Sequence, residues 1–171
     1  MTANIEAAEI ELIIDTMAEQ LTAQMTDKAI KDPLMIGLHT GGLWIAEKLH
    51  QRMALSKPLA EIDISFYRDD YTRIGLNPQV KPSHIRSEVE AENIILVDDV
   101  LYTGRTIRAA LNEIFDYGRP DSVTLAVLVD RGQRELPLQA DVIGLTLDLS
   151  APKQVKLTGP APLALETNRI D

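Results

Sequence analysis

Two adjacent aspartates, Asp98 and Asp99, stand where an apolar run at 95–97 meets a short loop rich in hydroxyls, YTGRT at 102–106. Hydroxyl groups and a glycine backbone supply hydrogen-bond donors without crowding, which suits a phosphate group. A helix is predicted to follow from Thr106, and the N-terminus of a helix attracts anions. The residues therefore predict an anion site that has two carboxylates at its mouth.

Other nucleotide-binding patterns fit these residues less well. A Walker B strand also ends in paired acids, but its partner motif GxxxxGK[ST] is absent and the chain has no Gly-Lys pair. The dinucleotide fingerprint GxGxxG is absent as well. Receiver domains place paired acids near the N-terminus, whereas Asp98 lies far along the chain. Paired acids can be merely solvated, but the loop and helix that follow favour a ligand site.

The elements that must position these residues alternate along the chain. An amphipathic helix is predicted at the N-terminus, where apolar residues recur at steps of three and four. Short apolar runs then predict buried strands separated by helices, an order that favours an α/β fold with a mostly parallel sheet. The predicted helices are 5–27, 43–53 and 106–117, and the predicted strands are 34–38, 62–66, 93–97, 123–129 and 142–147.

Two segments lack a clear pattern. Residues 68–92 carry charges, Gly75, Pro78 and Pro82, and a loop of that length inside a compact domain indicates a lid or a disordered stretch. The C-terminal stretch 158–171 has two prolines and mixed polarity, so we expect little regular structure there. No repeat or linker divides the chain, and residues 1–171 are predicted to form a single domain.

Composition excludes several classes of protein. The chain has no cysteine, so neither disulfides nor zinc-thiolate sites can form. Its N-terminus is acidic, unlike a signal peptide, and we expect a cytoplasmic protein. The net charge of −9 argues against a generic nucleic-acid binder.

Three longer motifs carry a resemblance to a known family. These are DISFYRDD at 63–70, VDDVLYTGRTIRAAL at 97–111, and GRP…LAVLVDRGQRELP across 118–137. Together they resemble the PyrR family of pyrimidine operon regulators and uracil phosphoribosyltransferases, within the type I phosphoribosyltransferases. The likeness runs from about residue 34 to 157. It implies a twisted parallel sheet with helices on both faces, a small base-binding hood and a long flexible lid loop at about 68–92.

The resemblance answers why carboxylates stand beside an anion loop. Phosphoribosyl pyrophosphate has a ribose between a 5-phosphate and a pyrophosphate, so its pocket needs two kinds of partner. By resemblance Asp98 and Asp99 accept hydrogen bonds from the ribose hydroxyls, and their charge favours the oxocarbenium-like transition state. The residues implied to bind the 5-phosphate are Leu101, Tyr102, Thr103, Gly104, Arg105 and Thr106.

The remaining ligand groups are assigned by the same resemblance. Regulators of this family from Gram-positive bacteria carry arginine where this chain has Gly41, so the pyrophosphate loop here is expected to bind through its backbone. Mg²⁺ is expected to arrive with the substrate near the two aspartates, without a cage of protein ligands. The implied pyrophosphate contacts are Thr40, Gly41, Gly42 and the lid residue Arg73, and the implied base contacts are Asp130, Arg131 and Val155.

Three functions remain open. The first is an enzyme that converts uracil and phosphoribosyl pyrophosphate to UMP and pyrophosphate. The second is an RNA-binding attenuator that senses UMP. The N-terminal helix, however, carries five acids on its polar face (Glu6, Glu9, Glu11, Asp15 and Glu19) and no basic residue before Lys28, a charge distribution that would repel RNA. The third is a purine phosphoribosyltransferase, which VDRGQRELP disfavours because it resembles a pyrimidine-type motif. The resemblance also implies a homo-oligomer. No membrane association is expected, because no apolar run approaches the roughly 18 residues needed to span a bilayer.

Overall fold

The computed structural model describes residues 4–64, 85, 88–149 and 153–169. Its main sheet is parallel and has the strand order β2-β1-β3-β4-β5. The predicted α/β fold, a parallel sheet with helices on both faces, is confirmed. The strands are β1 (Leu34–Leu38), β2 (Ala60–Ile62), β3 (Asn93–Leu101), β4 (Ser122–Asp130) and β5 (Val142–Thr146).

Three helices cover this sheet in the described part of the chain: α1 (Ala7–Asp27), α2 (Gly41–Met53) and α3 (Arg105–Tyr117). The buried stripe of α1 recurs at three- and four-residue steps, as an amphipathic helix requires. Helices α1 and α2 share one apolar core with one face of the sheet, whereas α3 packs into a second core on the opposite face. None of the helices in the described ranges is both long enough and apolar enough to cross a membrane.

The C-terminal stretch differs from the prediction. Within the stretch 158–171, which was expected to lack regular structure, residues Ala164–Arg169 form strand β7, and β7 pairs with β6 (Lys153–Thr158) in an antiparallel hairpin. Side chains alternate between buried and more exposed along both strands, and Ile5 forms a bridge to Leu165 that ties the N-terminus to the hairpin. The prediction was wrong because the prolines lie in the turn between the strands, where they interrupt no ladder hydrogen bond.

Most of the predicted lid lies outside the described residues, as does Phe66 of the predicted strand at 62–66. The end of the predicted lid is part of the fold. Val89 is almost fully buried in the core on the α3 side, and the Ala91 N–H donates to the carbonyl of Arg119. The chain is therefore anchored immediately before β3, the strand that carries the paired aspartates.

Candidate active site

The loops that follow β1, β3 and β4 meet at one edge of the sheet. These three strands are neighbours and parallel, so their carboxyl ends lie side by side. Ligands in open parallel sheets bind beyond these ends. The predicted convergence of the three motif-bearing loops is confirmed.

Strand β3 is longer than predicted and includes both aspartates. The register joins Asp98 to Val127 and Val100 to Val129 on β4. Val97 and Val100 pack into the same core, although strict alternation would place them on opposite faces. The strand is therefore irregular at the aspartates, a local feature that no sequence period reveals.

Both carboxylates lie against the start of α2. A Cβ atom added to Gly41 would be 2.2 Å from Oδ2 of Asp99, and one added to Gly42 would be 3.2 Å from Oδ1 of Asp98. Asp98 is only 2% exposed, and its Oδ1 accepts a hydrogen bond of 2.9 Å from the Asp99 N–H. Asp99 is more open, and its Oδ1 accepts from the Val100 N–H at 2.9 Å. The structure thus places the predicted catalytic pair beside the predicted pyrophosphate loop.

Gly41 and Gly42 are the first two residues of helix α2 and do not form a loop before it. Helix α2 was predicted to begin at residue 43 but begins at Gly41, with Thr40 as its N-cap and a cis peptide between His39 and Thr40. The Thr40 side chain makes no capping hydrogen bond. The positive end of this helix and its first amides therefore point toward the edge where an anionic ligand would sit.

The predicted phosphate loop is a tight turn into α3. Gly104 is the N-cap and has φ of +93°, a conformation that favours glycine. Because glycine has no side chain, it cannot cap the amides of the first turn. The Thr103 hydroxyl accepts from the Arg105 N–H at 3.3 Å, which leaves its own proton for another acceptor. Leu101 is buried and its carbonyl accepts from the Arg131 N–H, so its side chain does not line the loop.

Hydrogen bonds join the loop after β4 to the phosphate loop. The N–H groups of Glu135 and Leu136 both donate to the carbonyl of Thr103, at 2.9 and 3.1 Å. The side chain of Arg105 donates to Glu135 at 2.8 Å, so this predicted phosphate residue already has an acidic partner. The two loops therefore form one structural unit.

Two of the predicted base contacts, Asp130 and Arg131, lie at the same edge of the sheet, at the end of β4. The Arg131 side chain is 7% exposed, donates to the Lys153 carbonyl at 2.9 Å and stacks 3.7 Å from the centre of the Tyr102 ring. Its Nε has no partner within the described residues. The hydrogen bond from Arg134 holds the pKa of the Asp130 carboxyl below its ordinary value, and the Gly132 N–H acts in the same direction.

The side chain of one predicted base contact, Val155, does not reach the cleft. Val155 is 6% exposed and packs into the core shared with α1 and α2, although Arg131 reaches its strand at Lys153. Arg73 lies outside the described residues. Arg134 was not predicted as a site residue, yet it contacts both the phosphate loop and Asp130. The signals available in the sequence were its place in the VDRGQRELP motif and its four-residue spacing from Asp130.

The carboxylates suit a cation that arrives with a ligand. Among the described residues, no group of three or more His, Cys, Asp or Glu could hold a metal ion. Mg²⁺ prefers oxygen ligands, and it commonly uses one or two carboxylates together with substrate phosphates and water. Asp98 and Asp99 fit that donor set.

The fold and the site define a class of protein. The phosphoribosyl transferase domain family matches residues 1–161, and the chain is a phosphoribosyltransferase. A curated relative from Nitrosococcus oceani named Bifunctional protein PyrR is 56% identical over 164 residues, which cover 95% of this chain and 93% of the relative. A protein of the same name from Pseudomonas putida is 55% identical, with 90% of each chain covered. The chain belongs to the PyrR family.

Solved structures support the fold independently. The hypoxanthine phosphoribosyltransferase of Trypanosoma cruzi matches with a TM-score of 0.65 and 20% identity, over 83% of this chain and 79% of the other. A hypoxanthine phosphoribosyltransferase from Staphylococcus aureus matches with a TM-score of 0.63 and 21% identity, over 82% and 76% of the two chains. At this identity the likeness concerns architecture, and it does not indicate which base the chain accepts.

Proposed function

We propose that this chain transfers the phosphoribosyl group of phosphoribosyl pyrophosphate to uracil, which gives UMP and pyrophosphate. The bond from C1 of the ribose to pyrophosphate breaks, the bond from C1 to N1 of uracil forms, and the N1 proton is released. The observation that carries the proposal is the close approach of both aspartates to Gly41 and Gly42 at the start of α2, together with the anion loop that Gly104 caps.

Each part of the site has a role in this reaction. The amides of 102–106 and the Thr103 hydroxyl bind the 5-phosphate, and Thr40, Gly41 and Gly42 receive the pyrophosphate through their backbone. Asp98 and Asp99 hold the ribose hydroxyls and stabilise the positive charge that develops on the sugar. Asp130 and Arg131 contact the base. Because the side chain of Val155 is buried, we assign the contact of this residue with the base to its main chain.

Mg²⁺ is the cofactor that we propose for this site, held by the two aspartates together with oxygens of the substrate. When bound, it neutralises charge on the leaving pyrophosphate. The residues of the chain do the rest: they orient the ribose and keep the phosphate in the loop.

The proposed reaction makes a direct prediction for metal removal. Purified protein with radiolabelled uracil, phosphoribosyl pyrophosphate and Mg²⁺ should form UMP and pyrophosphate in equal amounts. Excess EDTA should abolish the reaction, and added Mg²⁺ should restore it, because pyrophosphate would otherwise leave without charge compensation. Full activity in EDTA would remove the metal from the proposal, and no UMP under any condition would remove the uracil reaction.

An RNA-binding regulator is the second candidate, favoured by the word bifunctional in the name of the relatives. Charge opposes it in this chain. Lys48 and Arg52 of α2 are already paired with Glu11 of α1, and Arg52 also binds Asp15. On the hairpin, Lys156 lies opposite Glu166. Lys48 and Arg52, which lie next to the acidic helix, are therefore already paired with protein carboxylates and are less able to bind an RNA phosphate.

We predict weak RNA binding. A pyrimidine-leader hairpin should bind no more tightly than micromolar at physiological salt, with or without UMP, since the chain carries a net charge of −9. A filter-binding titration at several salt concentrations measures this, and a scrambled hairpin is the control. Nanomolar, UMP-enhanced and sequence-specific binding would instead establish the regulator, with a basic surface built by assembly of several copies.

A further inference from the structure

All three guanidinium nitrogens of Arg134 donate hydrogen bonds, and these bonds link the phosphate loop at 102–106 to the loop that follows β4. Its Nη1 donates to the carbonyl of Tyr102 at 3.0 Å, and its Nη2 donates to Oδ2 of Asp130 at 2.7 Å. Its Nε donates to the carbonyl of Leu138 at 2.8 Å, and Nη1 lies 3.4 Å from the carbonyl of Gly132. The side chain is 21% exposed. An arginine on a loop would ordinarily be a solvated charge, and this one is not.

We propose that Arg134 is a positioning residue that sets the geometry of the 5-phosphate site and holds it in register with the base site. The inference deepens the proposed function and depends on it for the identity of the two ligand groups. Arg134 is not expected to touch the substrate, and it acts through Tyr102 and Asp130.

The effect on the phosphate site follows from the planarity of the peptide bond. The carbonyl of Tyr102 and the N–H of Thr103 belong to one rigid plane and point in opposite directions. When Arg134 holds that carbonyl, it also fixes the direction of the Thr103 N–H. The Thr103 carbonyl is held in the same way by the N–H groups of Glu135 and Leu136, which fixes the N–H of Gly104. Two of the amides proposed for the phosphate are therefore oriented from the loop after β4.

The effect on the base site follows from Asp130. This carboxylate accepts from Arg134 on one oxygen and from the Gly132 N–H on the other, so its orientation is fully determined. Arginine is suited to this double task because its planar group presents donors in fixed directions, whereas a lysine ammonium is a single point charge. Lysine at 134 could keep the pair with Asp130, but it could not hold the carbonyl of Tyr102 in the same geometry.

The test compares Arg134→Gln and Arg134→Lys with Arg52→Gln. Arg52 is a matched control because its guanidinium also makes several hydrogen bonds, to Asp15, Glu11 and the carbonyl of Lys48, but between α1 and α2. Calorimetry measures binding of ribose 5-phosphate, which needs the phosphate loop and no base. Steady-state kinetics then separate KM from kcat, and circular dichroism checks that each variant is folded.

We expect both Arg134 variants to bind ribose 5-phosphate about tenfold more weakly, the cost of losing a fixed donor in the loop. The KM for phosphoribosyl pyrophosphate should rise by a similar factor with a smaller change in kcat. The KM for uracil should rise less in Arg134→Lys than in Arg134→Gln, because lysine can keep the pair with Asp130. The affinity for ribose 5-phosphate should be equally weak in both variants. Arg52→Gln should leave both affinities unchanged.

Wild-type affinity for ribose 5-phosphate in Arg134→Gln would overturn the inference, as would an equal loss in Arg52→Gln. If the wild-type protein binds ribose 5-phosphate but does not use uracil, the proposed reaction fails while the positioning role is still decided by the variants. If the wild-type protein binds no ribose 5-phosphate, both the phosphate site and the role of Arg134 are contradicted.

Discussion

Asp99→Asn should fold normally and lose about 100-fold in kcat/KM for the formation of UMP, since removing a carboxylate that stabilises the transition state costs about 3 kcal/mol. Asparagine preserves the shape of the side chain and can still accept the hydrogen bond from the Val100 N–H. The substitution therefore removes charge without opening a cavity.

The measurement is steady-state kinetics alongside thermal unfolding, with Asp116→Asn on the exposed surface of α3 as a control for the loss of one charge. Asp98→Asn should also stay folded, because its amide oxygen can still accept the hydrogen bond from the Asp99 N–H. Its loss of activity should be similar to that of Asp99→Asn, since it too removes a carboxylate charge. Near-normal kcat/KM in either variant would show that the carboxylate concerned has no part in the reaction.

Gly41→Ala should lose activity as severely as Asp99→Asn while the protein stays folded. Alanine is favourable in a helix, and Gly41 is the first residue of α2. Its Cβ would, however, lie 2.2 Å from Oδ2 and 2.8 Å from Cγ of Asp99, so the carboxylate must rotate away. By contrast, Gly42→Ala should unfold more easily, because its Cβ would meet backbone atoms, the Val97 carbonyl oxygen at 2.7 Å and the Asp98 Cα at 2.9 Å.

A double-mutant cycle shows whether Gly41 acts through Asp99. If it does, the variant with both Gly41→Ala and Asp99→Asn should be about as active as either single variant, because the second change removes nothing further. Losses of kcat/KM that multiply in the double variant would mean that residue 41 affects the reaction independently of Asp99.

The positions of the loops could be predicted from the sequence because they depend on order along the chain. Apolar runs separated by helices predict a parallel sheet, and the carboxyl ends of its strands must share an edge. That reasoning brought residues near 40, 98 and 130 together. It could not show the approach of Asp99 to Gly41. That approach depends on the irregular alternation of side chains in β3 near the aspartates and on a helix that begins two residues before its apolar pattern.

Two other features were beyond the reach of local patterns. The hairpin of β6 and β7 is stabilised by pairing between its strands and with Ile5, a contact between the two ends of the chain. The role of Arg134 depends on the carbonyl of Tyr102, which lies 32 residues earlier in the sequence. Hydrophobic periodicity reports burial within an element, whereas these contacts form only once the sheet has assembled.

The base that the site accepts is the most direct test of the whole account. The solved structures that share the fold are named for hypoxanthine, and their low identity leaves the base open. The measurement is kcat/KM for uracil, hypoxanthine and guanine, each with phosphoribosyl pyrophosphate and Mg²⁺. Uracil should be preferred by about 100-fold or more, since a site that pairs its buried polar groups with one base leaves them unpaired with another. Comparable or faster transfer to a purine would contradict the account.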